Sequence, residues 1–338
     1  MSAIAPPTRV IIDTDPSAGI PGADIDDVLA IAFALGSPEL LVEGLTVVAG
    51  NVELEDAVAS ALASLEALGR PDIPVYPGAA RALVRERAEI TAFLRARRDD
   101  PLAHELWAGV PRPTPGLRPQ SIRAAEFIVE TVLGAPGAIT LVPIGPLTNV
   151  ALALLLDPAV VSAVREIVFM GGNLHGNHPG IAPVEFNLAN DPEAAHVVFR
   201  SGAPLTMVGL DVTTRTCLTL EDLEAVTAAD TAAAAFLRRI CTPWLHFVRA
   251  RRGLDGCWLH DPLAVAVAVD RDVVVTERRE IGVELRGEAT YGQTLGVGRG
   301  MGAGLRQPRG GPVDVCVGID DARFMARFLP ALRGALKG

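Results

Sequence analysis

Cysteine and aromatic residues are scarce in this chain of 338 residues. It contains 4 cysteines with no Cys-x-x-Cys pair among them, and aromatic residues make up 4% of the sequence. Cysteines scattered in this way indicate neither a zinc cluster nor a disulfide framework, so we expect reduced thiols and a cytoplasmic location. The cysteines are Cys217, Cys241, Cys257 and Cys316.

Long apolar runs and excess positive charge are also missing. No stretch reaches the about 18 apolar residues that a membrane-spanning helix needs, and the N-terminal segment lacks the basic and apolar regions of a signal peptide. The formal net charge of -10 argues against a broad surface for nucleic acid or anionic membrane. Acidic residues are interspersed among the arginines of residues 81–98, so we interpret this stretch as a solvated helix face rather than a phosphate-binding patch.

What the chain does have is apolar content, at 49% of its residues, which suffices for a large core. Short β-branched runs alternate with helical patterns of about 10–15 residues, as is typical of βαβ units around a parallel sheet. We therefore expect an α/β fold in which residues 1–338 form a single domain, with a central, mostly parallel sheet flanked by helices. The predicted strands are 10–12, 45–48, 73–76, 139–142, 167–170 and 205–208. The predicted helices are 27–36, 54–68, 121–133, 147–156, 191–201, 261–269 and 323–336.

Three stretches, near residues 85–116, 172–183 and 298–311, are interpreted as loops that project over the ends of the strands. The last is rich in glycine and resembles a phosphate-binding loop in composition. It lacks the Gly-Lys-Ser/Thr ending and does not follow the first strand, so a plain loop is favoured over a phosphate cradle.

The acidic residues near the N-terminus are the most informative feature. Asp13-Thr14-Asp15 ends the first predicted strand, and Asp24, Asp26 and Asp27 stand at the start of a helical pattern. Carboxylates crowded at a strand tip and a helix start repel one another, and each resists ionisation unless a cation offsets the charge. A divalent metal that prefers oxygen ligands is the simplest explanation. We expect Asp24 to cap the helix, with a contact to a hydroxyl group or to the metal as the alternative.

Three later motifs fit these acidic residues, and the first and third of them fall at a predicted strand end or helix start, where α/β folds place their chemistry. They are the turn 145–149 (GPLTN), the segment 185–187 (EFN) and the pair His260-Asp261. Each is common alone, since a Glu-x-Asn usually lies on the surface and a His-Asp usually caps a helix. Together they supply carboxylates for a metal, amides and a glutamate for hydroxyl recognition, and a histidine for proton transfer.

The order of these motifs resembles that of the inosine–uridine-preferring nucleoside hydrolase family. DTDP, DIDDVLA, VVAGN, VPIGPLTN, FMGGN, EFNLANDPEAAH and LHDPLAV follow one another within residues 9–330. The resemblance implies a Rossmann-like nucleoside hydrolase fold and a Ca²⁺-dependent hydrolysis of ribonucleosides to free base and ribose, with a role in purine or pyrimidine salvage. It implies a homodimer or homotetramer whose partner is a small nucleoside substrate, without nucleic-acid or membrane partners.

The resemblance also assigns roles to residues. Asp15 would ligate calcium and take the proton from the attacking water, and His260 would protonate the departing base. The other implied calcium ligands are Asp27, the carbonyl of Ile144, and Asp261. The implied ribose contacts are Asp26, Asn51, Met170, Asn177, Glu185 and Asn187. Asp13 is expected to support the ligands from behind, and for Met170 a role as core filler is an equal alternative.

This chain departs from the family pattern in two places. Residues 17–25 lengthen the connection between the two acidic pairs, and their glycines and prolines suggest a segment that bulges outward. The base-binding region also differs, and the candidates for base contacts are His104, Trp107 and Trp258. For these aromatics, stacking on a base and packing in the core are both open, so the preferred base stays undecided.

Two other functions compete with this interpretation. A haloacid-dehalogenase-type phosphatase also places Asp-x-Asp at its first strand tip, but no convincing set of its later motifs is present. A non-catalytic, calcium-dependent protein that binds nucleoside or ribose would keep the same residues. No metal or acid residue is missing here, so the sequence favours the enzyme.

Overall fold

The first strand of the chain lies near the middle of a large sheet. In the computed structural model of the protein, which describes residues 6–175, 184–296 and 310–337, β1 (Thr8–Thr14) pairs in parallel with β2 (Leu40–Val47) on one side and β4 (Ile139–Pro143) on the other. Ile11 packs on one face of the sheet, and Val10 and Ile12 pack on the other. Both faces are covered, which explains why this strand is a continuous apolar run rather than an alternating one.

The described residues contain nine strands in this sheet and two in a separate antiparallel sheet. The remaining strands are β3 (Val75–Pro77), β5 (Glu166–Met170), β6 (Leu205–Val208), β7 (Cys217–Thr219), β8 (Gly256–Trp258), β9 (Val274–Val283), β10 (Thr294–Gly296) and β11 (Gly310–Ile319). The order in the large sheet is β10-β9-β11-β6-β5-β4-β1-β2-β3. All neighbours from β3 to β11 are parallel, whereas β9 is antiparallel to both β10 and β11. The predicted α/β class and mostly parallel sheet are confirmed.

Helices cover both faces of the sheet. The helices are α1 (Asp26–Leu35), α2 (Leu54–Ala67), α3 (Ala88–Arg98), α4 (Pro101–Leu106), α5 (Ala124–Gly134), α6 (Thr148–Leu156), α7 (Val160–Ala163), α8 (Phe186–Asn190), α9 (Pro192–Phe199), α10 (Leu210–Thr213), α11 (Leu220–Val226), α12 (Ala232–Arg252), α13 (His260–Val269) and α14 (Asp321–Ala335). A first apolar cluster joins the sheet to α1, α2, α12, α13 and α14, and a second joins it to α5, α6 and α9. Each fully buried large side chain in these clusters stabilises the fold by about 1.5–3 kcal/mol.

The predicted strands and helices are present, with shifts of a few residues at their ends. The helix predicted from residue 121 begins at Ala124. Arg123 is its cap residue, and the backbone N–H of Arg123 donates to the Glu126 side chain at 3.2 Å. The helix predicted over 191–201 covers Pro192–Phe199, because the Asp191 side chain accepts from the backbone of Ala194 and so acts as the cap. The expectation that Asp24 caps α1 is wrong: the helix follows Ile25, and the Asp24 side chain accepts from the adjacent backbone N–H of Ile25 rather than from the first turn of the helix.

Several elements in the C-terminal half were not predicted, and β9 and α12 are the longest of those whose local signal is misleading. The middle of β9 is exposed and charged, so it shows no alternation of apolar and polar residues. The 21-residue helix α12 contains Pro243 in its interior, and proline normally ends or bends a helix. In both cases packing against other parts of the chain outweighs the local sequence signal.

The three predicted loop stretches have different outcomes. Residues 85–116 hold α3 and α4 between irregular segments. The stretch 172–183 falls outside the described residues from 176 onward, and 298–311 falls outside them up to 309. In the parts of the chain that are described, none of the helices has the length and apolar character needed to cross a membrane.

Close packing of α1 against α14 yields a test of the fold. A Cβ atom on Gly36, the residue after α1, would lie 2.0 Å from the carbonyl oxygen of Ala331 in α14. Gly36→Ala should therefore lower the free energy of unfolding by about 1–3 kcal/mol, measured by urea denaturation. Gly134→Ala is the matched control, because no atom lies within 4 Å of its added Cβ. Equal stability of the two variants would contradict the packing described here.

Candidate active site

Many of the residues selected from the sequence meet at the carboxyl edge of the large sheet. Asp15 follows β1, Asn51 comes after β2, Ile144 follows β4, and Met170 ends β5. Because these strands are parallel, their carboxyl ends lie at one edge, where α/β folds place their ligands.

Two helix starts bring further carboxylates to this edge. Asp26 and Asp27 open α1, and Asp261 lies in the first turn of α13. One carboxylate oxygen from each of these three buried residues lies within 4.8 Å of the others, an arrangement that suits a metal ion. The positive end of each helix dipole favours the negative charge at this position. Asp26, which the sequence assigned to the sugar, belongs to this group geometrically.

Asp15 is fixed beside this group with one oxygen unpaired. Its backbone N–H donates to Asp27 Oδ1 at 3.0 Å, and its Oδ2 accepts from the backbone of Asn51 at 2.6 Å. Its Oδ1 is buried without a hydrogen-bond partner among the described residues. A Cβ on Gly50 would lie 2.0 Å from Oδ2, and one on Gly145 would lie 2.6 Å from Oδ1. Glycine at both positions leaves the space that this carboxylate occupies.

Asp13 lies behind Asp15 and is held by polar side chains. Its Oδ1 accepts from Thr46 Oγ1 at 2.5 Å and from Asn149 Nδ2 at 2.8 Å, while its buried Oδ2 has no partner among the described residues. Thr14 Oγ1 donates to Asp27 Oδ1 at 2.5 Å. The roles of Thr14 and Asn149 in holding the carboxylates were not identified from the sequence, although both lie within the motifs that were.

Burial makes five aspartates of the acidic edge resist ionisation. It raises the pKa of Asp13 to about 7 and that of Asp27 to about 6. The pKa values of Asp15, Asp26 and Asp261 are raised well above the usual range, first by burial and then by neighbouring carboxylates. Buried oxygen donors with unpaired atoms and raised pKa values fit a hard divalent cation, which would offset their charge.

A second wall of polar groups faces the acidic one. Glu185 caps α8, where its Oε1 accepts from the backbone of Asn187 at 2.7 Å and its Oε2 accepts from the backbone of Gly172 at 3.1 Å. Burial raises the pKa of Glu185 to about 6. Asn187 Nδ2 donates to the carbonyl of Ile144 at 2.7 Å, which leaves that oxygen one lone pair for another contact. Met170 lines the same cavity, and Asn177 lies outside the described residues.

His260 stands at the start of α13, next to the acidic group. Its Nδ1 lies 2.7 Å from Thr213 Oγ1, and its ring meets Trp258 edge to face at 5.7 Å between centroids. Both His260 and Trp258 line the cavity. A histidine oriented by a hydroxyl at one nitrogen can use the other for proton transfer. Thr213 was not identified from the sequence, which carries no local signal for it.

A cavity of about 600 Å³ opens over these groups. Its acidic floor includes Asp26 and Asp261, and its apolar and cationic side includes Phe93, Arg97 and Phe247. Two of the three candidates for base contacts do not line it. Trp107 is buried in the core with its ring 6.0 Å from that of Phe247, and His104 is exposed on α4.

The sequence suggested that the arginines of residues 81–98 form a solvated helix face. Two of them instead turn inward. Arg87 Nη1 donates to Asn190 Oδ1 at 2.6 Å and to the carbonyl of Ala49 at 3.1 Å. Arg97 lines the cavity with its Nε and Nη2 shielded from solvent. The spacing of opposite charges along a helix does not reveal which side chains turn inward.

The segment 16–25 also differs from expectation, since it is packed inward and does not bulge. Residues 16–20 are buried, Gly22 lies against the backbone carbonyl of Arg97, and Gly19 lies against that of Pro111. Both glycines have positive φ, at 71° and 69° for Gly19 and Gly22. Asp24 at the end of this segment lines the cavity.

Comparison with known proteins identifies relatives of the chain as a whole. The family described as inosine-uridine preferring nucleoside hydrolase matches residues 10–326. The chain is 33% identical over 330 residues to the inosine-uridine preferring nucleoside hydrolase of Crithidia fasciculata, which covers 96% of this chain and 98% of that protein. It is 36% identical over 288 residues to the pyrimidine-specific ribonucleoside hydrolase RihA of Escherichia coli O9:H4 (strain HS), covering 85% of this chain and 87% of that protein. Its fold is similar to that of the purine-preferring ribonucleoside hydrolase from Gardnerella vaginalis, with a TM-score of 0.83, 35% identity, and coverage of 97% and 99% of the two chains.

The raised pKa values predict how stability depends on pH when no metal is present. An unfolded aspartate has a pKa of 3.8, whereas folding raises that of Asp13 to about 7. The folded protein therefore holds protons that the unfolded chain has released, and its free energy of unfolding should fall as pH rises from about 4 to about 7. Urea denaturation in the presence of a chelator measures this fall, and an added divalent metal ion that binds the carboxylates should abolish it. A rise in stability over the same range in chelator would contradict the prediction.

Proposed function

The chain belongs to the inosine-uridine preferring nucleoside hydrolase family and hydrolyses the N-glycosidic bond of ribonucleosides, and from this premise we propose that its acidic cluster holds a calcium ion that the reaction requires. The observation that carries the proposal is the set of buried carboxylates with unpaired oxygens at one sheet edge. The residues that would hold the ion are Asp15, Asp27, Asp261 and the carbonyl of Ile144.

The choice of calcium follows from the chemistry of the donors. All are carboxylate or carbonyl oxygens, which calcium prefers, and the described site includes neither a thiol nor an imidazole among these donors. Asp26 lies within the same group of oxygens and is available either to the ion or to a sugar hydroxyl. When bound, such an ion lowers the pKa of a water molecule and offsets the charge of the carboxylates.

The residues around the cluster would carry out the remaining steps. Asp15 accepts the proton of the attacking water through its unpaired Oδ1. Asp26, Asn51, Glu185 and Asn187 bind the ribose hydroxyls and hold the ring as C1′ takes on oxocarbenium character. His260, oriented by Thr213, gives a proton to the base as the glycosidic bond breaks.

Support for the ribose assignment comes from the hydrogen bonds that orient Glu185 and Asn187. Asn187 uses its Nδ2 on the Ile144 carbonyl, and Glu185 takes its bonds from backbone N–H groups. These bonds fix both side chains before a substrate arrives, so the sugar meets oriented groups rather than mobile ones. Asp13 completes the arrangement by holding Asn149 and Thr46 behind the ligands.

Family membership leaves the preferred base open, since the relatives include enzymes named as pyrimidine-specific and as purine-preferring.

We further propose a cytoplasmic, homo-oligomeric enzyme that serves base salvage. Leu155 and Leu156 on α6 are 58% and 60% exposed, which supports an interface with a second copy on this helix.

Replacement of the proposed base tests the mechanism. Asp15→Asn should lower kcat/KM for inosine and uridine on the order of 10²- to 10⁴-fold, because it removes the proton acceptor. Ribose release, assayed with calcium and with a chelator, measures the effect, and the wild-type protein should lose its activity in chelator. Asp72→Asn is a control, since Asp72 is an exposed partner of Arg70. Retained activity in Asp15→Asn would show that another group is the base, and binding of calcium without turnover in the wild type would favour a sensor.

Replacement of the proposed acid tests the departure of the base. His260→Ala should lower kcat/KM for nucleosides on the order of 10²- to 10⁴-fold. It should have far less effect on p-nitrophenyl riboside, whose leaving group departs without a proton. Parallel assays of inosine and p-nitrophenyl riboside give the comparison, and equal losses on both substrates would argue against an acid role for His260.

A further inference from the structure

Arg87, the residue that precedes α3, forms hydrogen bonds with two segments that belong to different walls of the cavity. Its Nη1 donates to the carbonyl of Ala49 at 3.1 Å and to Asn190 Oδ1 at 2.6 Å, which lie 38 and 103 residues away along the chain. The N–H groups of a planar guanidinium point in fixed directions, so one side chain can hold two acceptors in a set arrangement. Arg87 therefore forms a bridge between Ala49 and Asn190.

The first end of this bridge lies in the turn that supports the acidic group. Ala49 is two residues before Asn51, whose backbone N–H donates to Asp15 Oδ2 at 2.6 Å and whose Nδ2 donates to Asp27 Oδ2 at 3.2 Å. Between them, Gly50 packs so closely that an added Cβ would lie 2.0 Å from Asp15 Oδ2. A shift of the Ala49 peptide would therefore move Asn51 relative to the carboxylates.

The second end of the bridge lies on the short helix α8. Asn190 is the last residue of this five-residue helix, which Glu185 caps and which carries Asn187 in its first turn. A helix of this length is not stable alone, so its position depends on contacts with the rest of the chain. Asn187 Nδ2 fixes the start of α8 by donating to the carbonyl of Ile144 at 2.7 Å. Arg87 fixes the other end through Asn190.

The charge of Arg87 offers a second explanation for its location. Its positive charge lowers the pKa of Asp15, against the larger effect of burial, which raises it. A fixed positive charge near the acidic group would, however, oppose the binding of a cation there. Both hydrogen-bond acceptors of Arg87 are uncharged, and an effect of charge alone would require neither of them. The geometry therefore favours the bridge.

We propose that Arg87 is a positioning residue that fixes the separation between the two sides of the ribose site; this inference rests on the proposed hydrolysis of nucleosides. Within that function the sugar hydroxyls bind groups of both sides at once, with Asp26 and Asn51 on one side and Glu185 and Asn187 on the other. A displacement of about 1 Å in such a site can lower the rate on the order of 10²-fold. Arg87 itself does not line the cavity, so its effect should not depend on the base.

Removal of the bridge is the first part of the experiment. Arg87→Met should lower kcat/KM by about 10- to 100-fold, and equally for inosine, uridine and p-nitrophenyl riboside, because these substrates share only the ribose. The free energy of unfolding, measured in urea, should stay close to that of the wild type. Arg95→Met is the matched control, since Arg95 is exposed in the same charged stretch, and it should leave all three values unchanged.

A double-mutant cycle separates the bridge from the charge and from a general structural effect. Asn190→Leu removes one acceptor and keeps the charge of Arg87, and it should also lower kcat/KM by about 10- to 100-fold. The variant with both substitutions should lose little more than the weaker of the two single variants, because both changes break the same bridge. Arg87→Lys keeps the charge without the planar fork, so it should retain only part of the wild-type activity.

Three outcomes would overturn the inference. Additive losses in the double variant would show that Arg87 and Asn190 act independently. Full activity in both Arg87→Lys and Asn190→Leu would assign the effect of Arg87→Met to charge. Unequal losses on inosine and p-nitrophenyl riboside would assign Arg87 to the base.

Calorimetric titration with inosine separates this inference from the proposed function. If the wild type binds inosine without turnover, and Arg87→Met and Asn190→Leu weaken that binding without additivity, the inference stands and the hydrolytic proposal fails. If the wild type turns over nucleosides and Arg87→Met does so equally well, only the inference fails.

Discussion

The fold has to hold several buried carboxylates together against their mutual repulsion. Asp15, Asp26, Asp27 and Asp261 come from one strand end and two helix starts, and burial raises the pKa of each. Backbone N–H groups, hydroxyls and the positive ends of α1 and α13 offset part of this cost. A bound cation would supply the rest, which links the metal requirement directly to the way the sheet edge is built.

Much of this edge could be predicted from sequence because its signals are local. A β-branched run that ends in Asp-x-Asp identifies both a strand and its tip. The turn at Gly145 likewise indicates the end of a strand, and Asp261 indicates the start of a helix. Parallel pairing then brings such tips together without further information. A core on both faces of the sheet follows from the same alternation of strands and helices, whereas the order of the strands was not predicted.

The elements that could not be predicted depend on contacts between distant parts of the chain. Arg97 lies in a charged stretch that is typical of a solvated helix, and only the packing of Gly22 and Trp244 against it turns it inward. The segment 16–25 carries the residues of a surface turn, yet it is mostly buried and lies against the backbone of Arg97 and Pro111. The antiparallel strand β9 has no alternating pattern of apolar and polar residues. It forms because it pairs with β10 and β11, and not because one of its faces is buried. Trp107 and Trp258 illustrate the same limit, since sequence alone could not tell a core aromatic from one that lines the cavity.

The inward packing of segment 16–25 ties together two stretches that are far apart along the chain. Its ends are fixed at Asp15 and Asp26. Between them, Gly19 packs against the backbone of Pro111, and Gly22 packs against the backbone of Arg97. A descendant that loses the segment would leave an empty space beneath α3, and one that gains a side chain at either glycine would displace that helix. The segment and residues 88–111 therefore have to change in step during evolution, and recombination that exchanges one without the other would be selected against.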